Sequence, residues 1–341
     1  MATPPLSTFD VLDPDTSFSP RGMSYQSGRS RHESDHTVWS WRRRRATLDD
    51  VDGQHDSITS ERSPILVVTR VFTLALGLCA PLVSNRLQTL DAAERLTVQI
   101  TVWAAWAIVL LCVLVPSTVS LTALRLVSPL HLIIFFVLAV SNPDTGSMVA
   151  TALSAIVVVL ALSAELGHVF VQTSAYGDEK RVLLRCPRAH LVVIVTMWAL
   201  WVASGIVGVS ALVNRSWVFG GILTALAASG LVALPRRFHR YSRRWLVSVP
   251  AGIVVHDHVV LAETAMFTRT AISTTTLVAE PGESADLSGG TGRPWVEITL
   301  NDFDTVVRAA TPSTPGGSAI HVKSFRIRPS RLTAATDLLT S

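Results

Sequence analysis

Five ionisable side chains lie inside stretches that are otherwise apolar: Arg70, Arg125, His131, Glu165 and His168. A charge in such surroundings is costly to hold, and where it persists it faces a partner, a watery path or the end of its segment. Glu165 and His168 are three residues apart, hence on one helix face. Arg70 and Arg125 lie about two turns into the first and third segments and Glu165 and His168 near the close of the fourth, so on alternating spans all four fall in the inner leaflet's half, and the expectation is an intramembrane polar cluster. Three roles remain open for it: an ion pair locking three helices together, arginine stems snorkelling to the headgroups, or a relay for protons or substrate. His131, beside Pro129 and nearer mid-segment, reads as a polar interhelical contact at a kink.

Elsewhere, residues suited to chemistry are sparse. His256-Asp257-His258 would put two imidazoles on one face of a strand, but two ligands are too few for a metal site, and the tripeptide reads as a solvated turn. The sequence contains no Gly-x-Gly-x-x-Gly, phosphate-binding loop, His-Glu-x-x-His or Gly-x-Ser-x-Gly, so the usual phosphate, zinc and acyl-transfer mechanisms have no foothold. Its three cysteines make no framework: Cys79 and Cys112 sit in apolar runs and Cys186 in a basic loop. The expectation is therefore no catalytic residue, no cofactor and no metal.

The elements that must position these residues follow from composition. In 341 residues, 49% are hydrophobic, only 16% are charged and the mean hydropathy is +0.41, which is unusual for a soluble chain. The charge collects before Pro64, after Leu234 and in short islands between. Six apolar segments result, at 64–84, 97–115, 119–140, 148–171, 190–213 and 217–234. Each approaches the ~20 residues that cross ~30 Å of hydrocarbon as helix. Basic residues alternate between loops: Arg42, Arg43, Arg44 and Arg45 before the first segment, Lys180, Arg181, Arg185 and Arg188 between the fourth and fifth, and Arg236, Arg237, Arg240, Arg243 and Arg244 after the sixth. The positive-inside rule then puts both termini in the cytoplasm of a multi-pass plasma-membrane protein. The same asymmetry explains the net charge of +4 without nucleic acid, for which no aromatic-basic platform is visible.

Residues 1–63 are polar, carry few large apolar side chains and read as a disordered cytoplasmic tail. No apolar run follows the first residues, so targeting falls to the first membrane segment. Within the tail, Trp39-Ser40-Trp41 precedes Arg42, Arg43, Arg44 and Arg45. These four arginines, with Arg236 and Arg237, are candidates for anionic lipid headgroups.

After Arg244 the pattern changes to short runs rich in Val, Ile and Thr, expected as strands at 245–249, 253–255, 264–267, 273–278, 295–300, 305–308 and 320–327, with a closing helix from Pro329-Ser330 to Leu339. Meandering strands closed by one helix, after several membrane segments, resemble the uncharacterised multi-pass membrane proteins of high-GC Gram-positive bacteria that carry a C-terminal pleckstrin-homology-like domain. The stretch Arg244-Trp245-Leu246-Val247-Ser248-Val249-Pro250-Ala251-Gly252-Ile253-Val254-Val255-His256-Asp257 carries the local likeness. The resemblance implies an α-helical transmembrane bundle of six spans (64–234) followed by a small cytoplasmic β-rich domain with a C-terminal helix (235–341). It implies no activity and no lipid site.

Three functions fit these residues. The first is a non-enzymatic scaffold or regulator presenting its cytoplasmic domain to protein partners. The second is a small transporter using polar residues in the spans, and the third an enzyme acting on lipid-linked substrates. The topology has a direct check. A reporter active only in the cytoplasm, fused after Ser341, should be active, and one active only outside should be silent; the reverse pattern would overturn the span count.

Overall fold

A computed structural model describes residues 63–84, 86–89, 91–141, 143–280, 282–311 and 314–340, all within one compact unit. The tail, including Arg42, Arg43, Arg44 and Arg45, lies outside the described residues. The chain begins with helices α1 (Pro64–Ser84), α2 (Ala92–Leu114), α3 (Thr118–Ser141), α4 (Thr145–Leu162) and α5 (Ala164–Gln172). Strand β1 (Lys180–Leu183) follows, then α6 (Arg188–Val213) and α7 (Trp217–Ser242). Five of these, α2, α3, α4, α6 and α7, are long and apolar enough to cross a membrane, and α1 adds a shorter apolar stretch, Pro64–Cys79.

Local chemistry sets the helix ends. Pro64 begins α1, where its missing N–H is harmless. At α4 the Asp144 carboxylate accepts from the Ser147 backbone N–H at 2.6 Å while the Ser147 hydroxyl accepts from the Asp144 N–H, closing a reciprocal cap.

Two segments differ from expectation. The fourth does not run from 148 to 171, because the helix breaks at Ser163, whose backbone is extended. The Ser163 hydroxyl donates to the Leu160 carbonyl and accepts from the Leu166 N–H, so one residue ends α4 and starts α5. The sixth continues beyond Leu234 to Ser242. Pro235 lacks one helix donor, yet the chain stays helical through Ser242, and Arg236, Arg237 and Arg240 ride on the helix.

The strand region holds two four-stranded sheets. The first has the order β1-β2-β3-β4, all antiparallel, with β2 Trp245–Val249, β3 Gly252–His256 and β4 Ala265–Thr268. The second has the order β5-β7-β8-β6, with β5 Ile272–Val278, β6 Ala285–Asp286, β7 Trp295–Arg308 and β8 Ser318–Ile327. The short β6 runs parallel to β8. The two runs expected at 295–300 and 305–308 are one strand, whose register shifts between Thr299 and Asp304. Helix α8 (Leu332–Thr340) closes the region, burying Ala335 and Leu338.

Strand β1 comes from the chain between α5 and α6, well before the β-rich domain expected at 235–341, and forms the edge beside β2. It belongs there because the first sheet is covered on both faces, which is why β2 reads as a nearly continuous buried run. Leu183, Trp245 and Val247 pack with Leu66, Phe170 and Val171 of the helices, whereas Val182, Leu246 and Val255 pack with Val296, Phe325 and Leu338. Alternation along a strand sends neighbours to opposite faces, so one sheet serves two cores.

A test follows at Val182, buried between the two sheets. Val182→Asp would bury a carboxylate with no counter-ion, and should open the region after Arg244 to trypsin while leaving the helices extractable in detergent as before. An unchanged cleavage pattern would mean that β1 is dispensable.

Candidate functional site

The polar residues expected to cluster do not pair with one another. Arg70 donates through Nε to the Val113 carbonyl at 2.9 Å, and a second guanidinium nitrogen lies 3.5 Å from the Leu114 carbonyl. It thereby satisfies the C-terminus of α2, where free carbonyls and the helix dipole favour a cation. Arg125 does the same for α4, donating from Nε to the Ala161 carbonyl at 3.1 Å, just before the break at Ser163. Its guanidinium lies against Gly167 of α5, where a Cβ would come within 2.8 Å of it.

Glu165 pairs with Arg331 at 3.2 Å, and among the described residues no ion pair joins it to Arg70 or Arg125. Arg331 takes the place expected for Arg70 or Arg125, and the cause is the helix break. Glu165 sits in the first turn of α5, half exposed, facing the region just before α8. His168, one turn on, faces the Arg181 backbone, and its buried Nδ1 has no hydrogen-bond partner among the described residues. His131 is 1% exposed, stacks near Phe135 at 6.2 Å between ring centres, and faces the Val102 backbone of α2.

The strongest polar arrangement lies where α7 enters β2. Arg244 and Asp257 meet side-on, Nε to Oδ1 at 2.8 Å and Nη2 to Oδ2 at 2.7 Å, with side chains 1% and 0% exposed. Arg244 also donates to the Arg185 carbonyl at 2.7 Å and to the Ser288 carbonyl at 3.4 Å. Asp257 Oδ1 accepts from the Val259 and Val260 N–H groups at 3.1 and 3.4 Å. The planar guanidinium suits this two-point grip, and the remaining donors and acceptors are nearly all engaged. One ion pair thus ties together the end of α7, the chain leaving β1, the turn after β3 and the loop after β6.

Asp257 is therefore no solvated turn residue, and its neighbours differ from expectation as well. His256 stacks on Trp245 with ring centres 5.1 Å apart, His258 meets His256 edge-on at 4.4 Å, and the Arg181 guanidinium lies 5.1 Å from the Trp245 ring. Burial, then the charges of His258, Arg243 and Arg181, push His256 down to about 4, so it is neutral near pH 7. Burial pushes the Cys186 thiol up, which keeps it protonated and a weak nucleophile. Among the described residues no three His, Cys, Asp or Glu side chains converge as metal ligands would. Arg236 and Arg237 are exposed on α7.

Sequence reasoning missed the Arg244–Asp257 pair, although a signal existed. With Val249 opposite Gly252 across Pro250-Ala251, the hairpin register places Trp245 opposite His256, so the next pair outward is Arg244 with Asp257.

Fold and site define a class: a bundle with five membrane-length apolar helices, to which a two-sheet β-rich region is joined through a shared sheet and a buried ion pair. Comparison with known proteins adds no narrower identity, because no family model, curated protein or solved structure matches the chain.

Asp257→Asn would leave Arg244 buried without its counter-charge and should cost about 3–5 kcal/mol, read as a lower melting temperature in detergent. Replacing both residues with apolar ones of similar size, Arg244→Met with Asp257→Leu, should cost less than the single change. A double variant as unstable as the sum of its singles would mean that the pair is not a coupled unit.

Proposed function

We propose that the protein is a non-enzymatic scaffold or regulator of the plasma membrane, with six crossings and both termini in the cytoplasm, in which the helices hold a pleckstrin-homology-like region against the inner membrane surface for protein partners. The observation that carries this reading is the shared sheet. Leu183, Trp245 and Val247 are buried against Leu66, Phe170 and Val171, so the region is held by apolar packing as well as by the chain. A platform needs such a rigid mount, whereas a tethered module would keep its faces wet.

The second sheet has features suited to a partner. Phe303 is exposed beside an open cleft of about 320 Å³ lined by Thr270, Asn301, Asp302 and Asp304. Exposed aromatic side chains next to polar groups are common anchors of protein interfaces.

A second reading, transport of a proton or small polar solute, is favoured by one observation. Ser128 and His131 of α3 are both buried, and the Ser128 hydroxyl has no hydrogen-bond partner among the described residues, although such groups inside a bundle are ordinarily satisfied or hydrated.

Purification of the intact tagged protein from its native membrane separates the two. The scaffold reading expects a stoichiometric protein partner whose recovery falls when Phe303→Ala is combined with Asp304→Ala. Absence of any partner, together with solute flux in proteoliposomes that His131→Leu abolishes without changing the melting temperature, would replace it with transport.

A further inference from the structure

The loop joining β6 to β7 contains Ser288-Gly289-Gly290-Thr291-Gly292-Arg293. Gly289 and Gly290 have φ of 74° and 77°, a left-handed pair that only glycine adopts without strain. Unpaired successive N–H groups in a turn are a common anion site. Among the described residues no protein group accepts from the backbone N–H of Gly289, Gly290, Thr291, Gly292 or Arg293. The hydroxyls of Ser288 and Thr291, on residues 2% and 4% exposed, are also without partners. Buried hydroxyls are rarely left this way, so the loop has room in its hydrogen bonding for a ligand rich in acceptors.

Its surroundings are cationic. A side chain at Gly292 would collide with the guanidinium of Arg188, and a Cβ at Gly289 would come within 2.9 Å of Pro187. Pro187 and Arg188 are the cap and first residue of α6, a 26-residue helix with no side-chain cap and no acidic residue in its first turn. The loop therefore abuts the positive end of a long helix. Nearby arginines already have carboxylates: Arg244 has Asp257, Arg293 has Glu280 and Arg326 has Asp286. Arg185 and Arg188 are exposed and form no ion pair among the described residues. Arg188 also opens a membrane-length apolar helix, which places it at headgroup depth.

We propose that this loop and Arg188 bind the phosphate of an anionic phospholipid in the leaflet next to the β-rich region. Arg188 supplies the charge, the N–H groups of residues 289–292 supply the cradle, and the buried Thr291 hydroxyl is a further donor. A lipid held there would contact both α6 and the loop after β6, and so clamp the β-rich region to the membrane surface. The proposal rests on α6 crossing the membrane and deepens the scaffold reading by naming a lipid that the mount uses.

The test is native mass spectrometry of the intact detergent-purified protein titrated with phosphatidylglycerol or phosphatidylcholine, with inorganic phosphate as a separate arm. The wild type should bind one phosphatidylglycerol in preference to phosphatidylcholine. Arg188→Ala and Gly290→Ala should each weaken that binding by at least about tenfold, the weight of one hydrogen bond to a charged group, and Arg188→Lys should recover part of it. Arg215→Ala, at the turn joining α6 to α7, should change nothing. Equal binding of the two lipids, or a preference unmoved by both variants, overturns the proposal. Thermal stabilisation by inorganic phosphate alone, lost in Arg188→Ala, with no preference for phosphatidylglycerol, overturns the lipid as occupant and leaves a free-anion site. Release of the wild type from membranes by alkaline carbonate would instead overturn the membrane crossing itself, a readout that these variants do not move.

Discussion

Arg244 and Asp257 face each other where water does not reach, and the rest of the described structure is arranged around that meeting. A buried ion pair is a doubtful source of net stability, because stripping water from two charges offsets most of what their attraction returns. Its value lies in geometry. The guanidinium has five N–H groups in one plane, and here they bind Asp257, the Arg185 carbonyl and the Ser288 carbonyl together. Three chain segments distant in sequence are thereby set in register, and a shift of any one would strand a charge or a carbonyl. The pair thus specifies one arrangement of α7, β1, β3 and the loop after β6.

A related arrangement recurs among the helices. Arg70 and Arg125 each serve the carbonyl end of a neighbouring helix, which supplies partial negative charge without burying a second full charge. In a medium with little water this is a less costly partner than a carboxylate. It leaves Glu165 to meet Arg331, half in solvent, at the seam between α5 and the chain leading into α8. Charges that looked like an internal cluster in one dimension are thus each held by a different partner.

That boundary accounts for the composition of β2. A strand with one wet face alternates, but Trp245-Leu246-Val247-Ser248 is buried throughout because helices cover one face and the second sheet the other. Strand β1 completes the sheet from between α5 and α6, so bundle and β-rich region share residues and neither core is complete alone. The Gly-rich loop after β6 lies on the same seam, pressed on the start of α6.

By itself the sequence determined what depends on short range. Apolar runs near membrane length, the turn residues between them, the switch to Val- and Thr-rich strands after Arg244 and the closing helix are legible because helix and strand periodicities, caps and turns are local properties. The break at Ser163 is masked in the sequence, since apolar content continues on both sides of it. Val157-Val158-Val159-Leu160-Ala161-Leu162 precedes and Leu166 follows, and only the competition of one hydroxyl for two backbone groups divides them. Tertiary structure alone decided the partners. Lys180–Leu183 is too short to announce itself as a strand and becomes one only against β2. Which arginine would meet Glu165 depended on rotations and depths that a linear projection does not carry. The Arg244–Asp257 pair stood between, implied by the hairpin register yet given its importance by burial, and burial is a property of the assembled chain rather than of any segment of it.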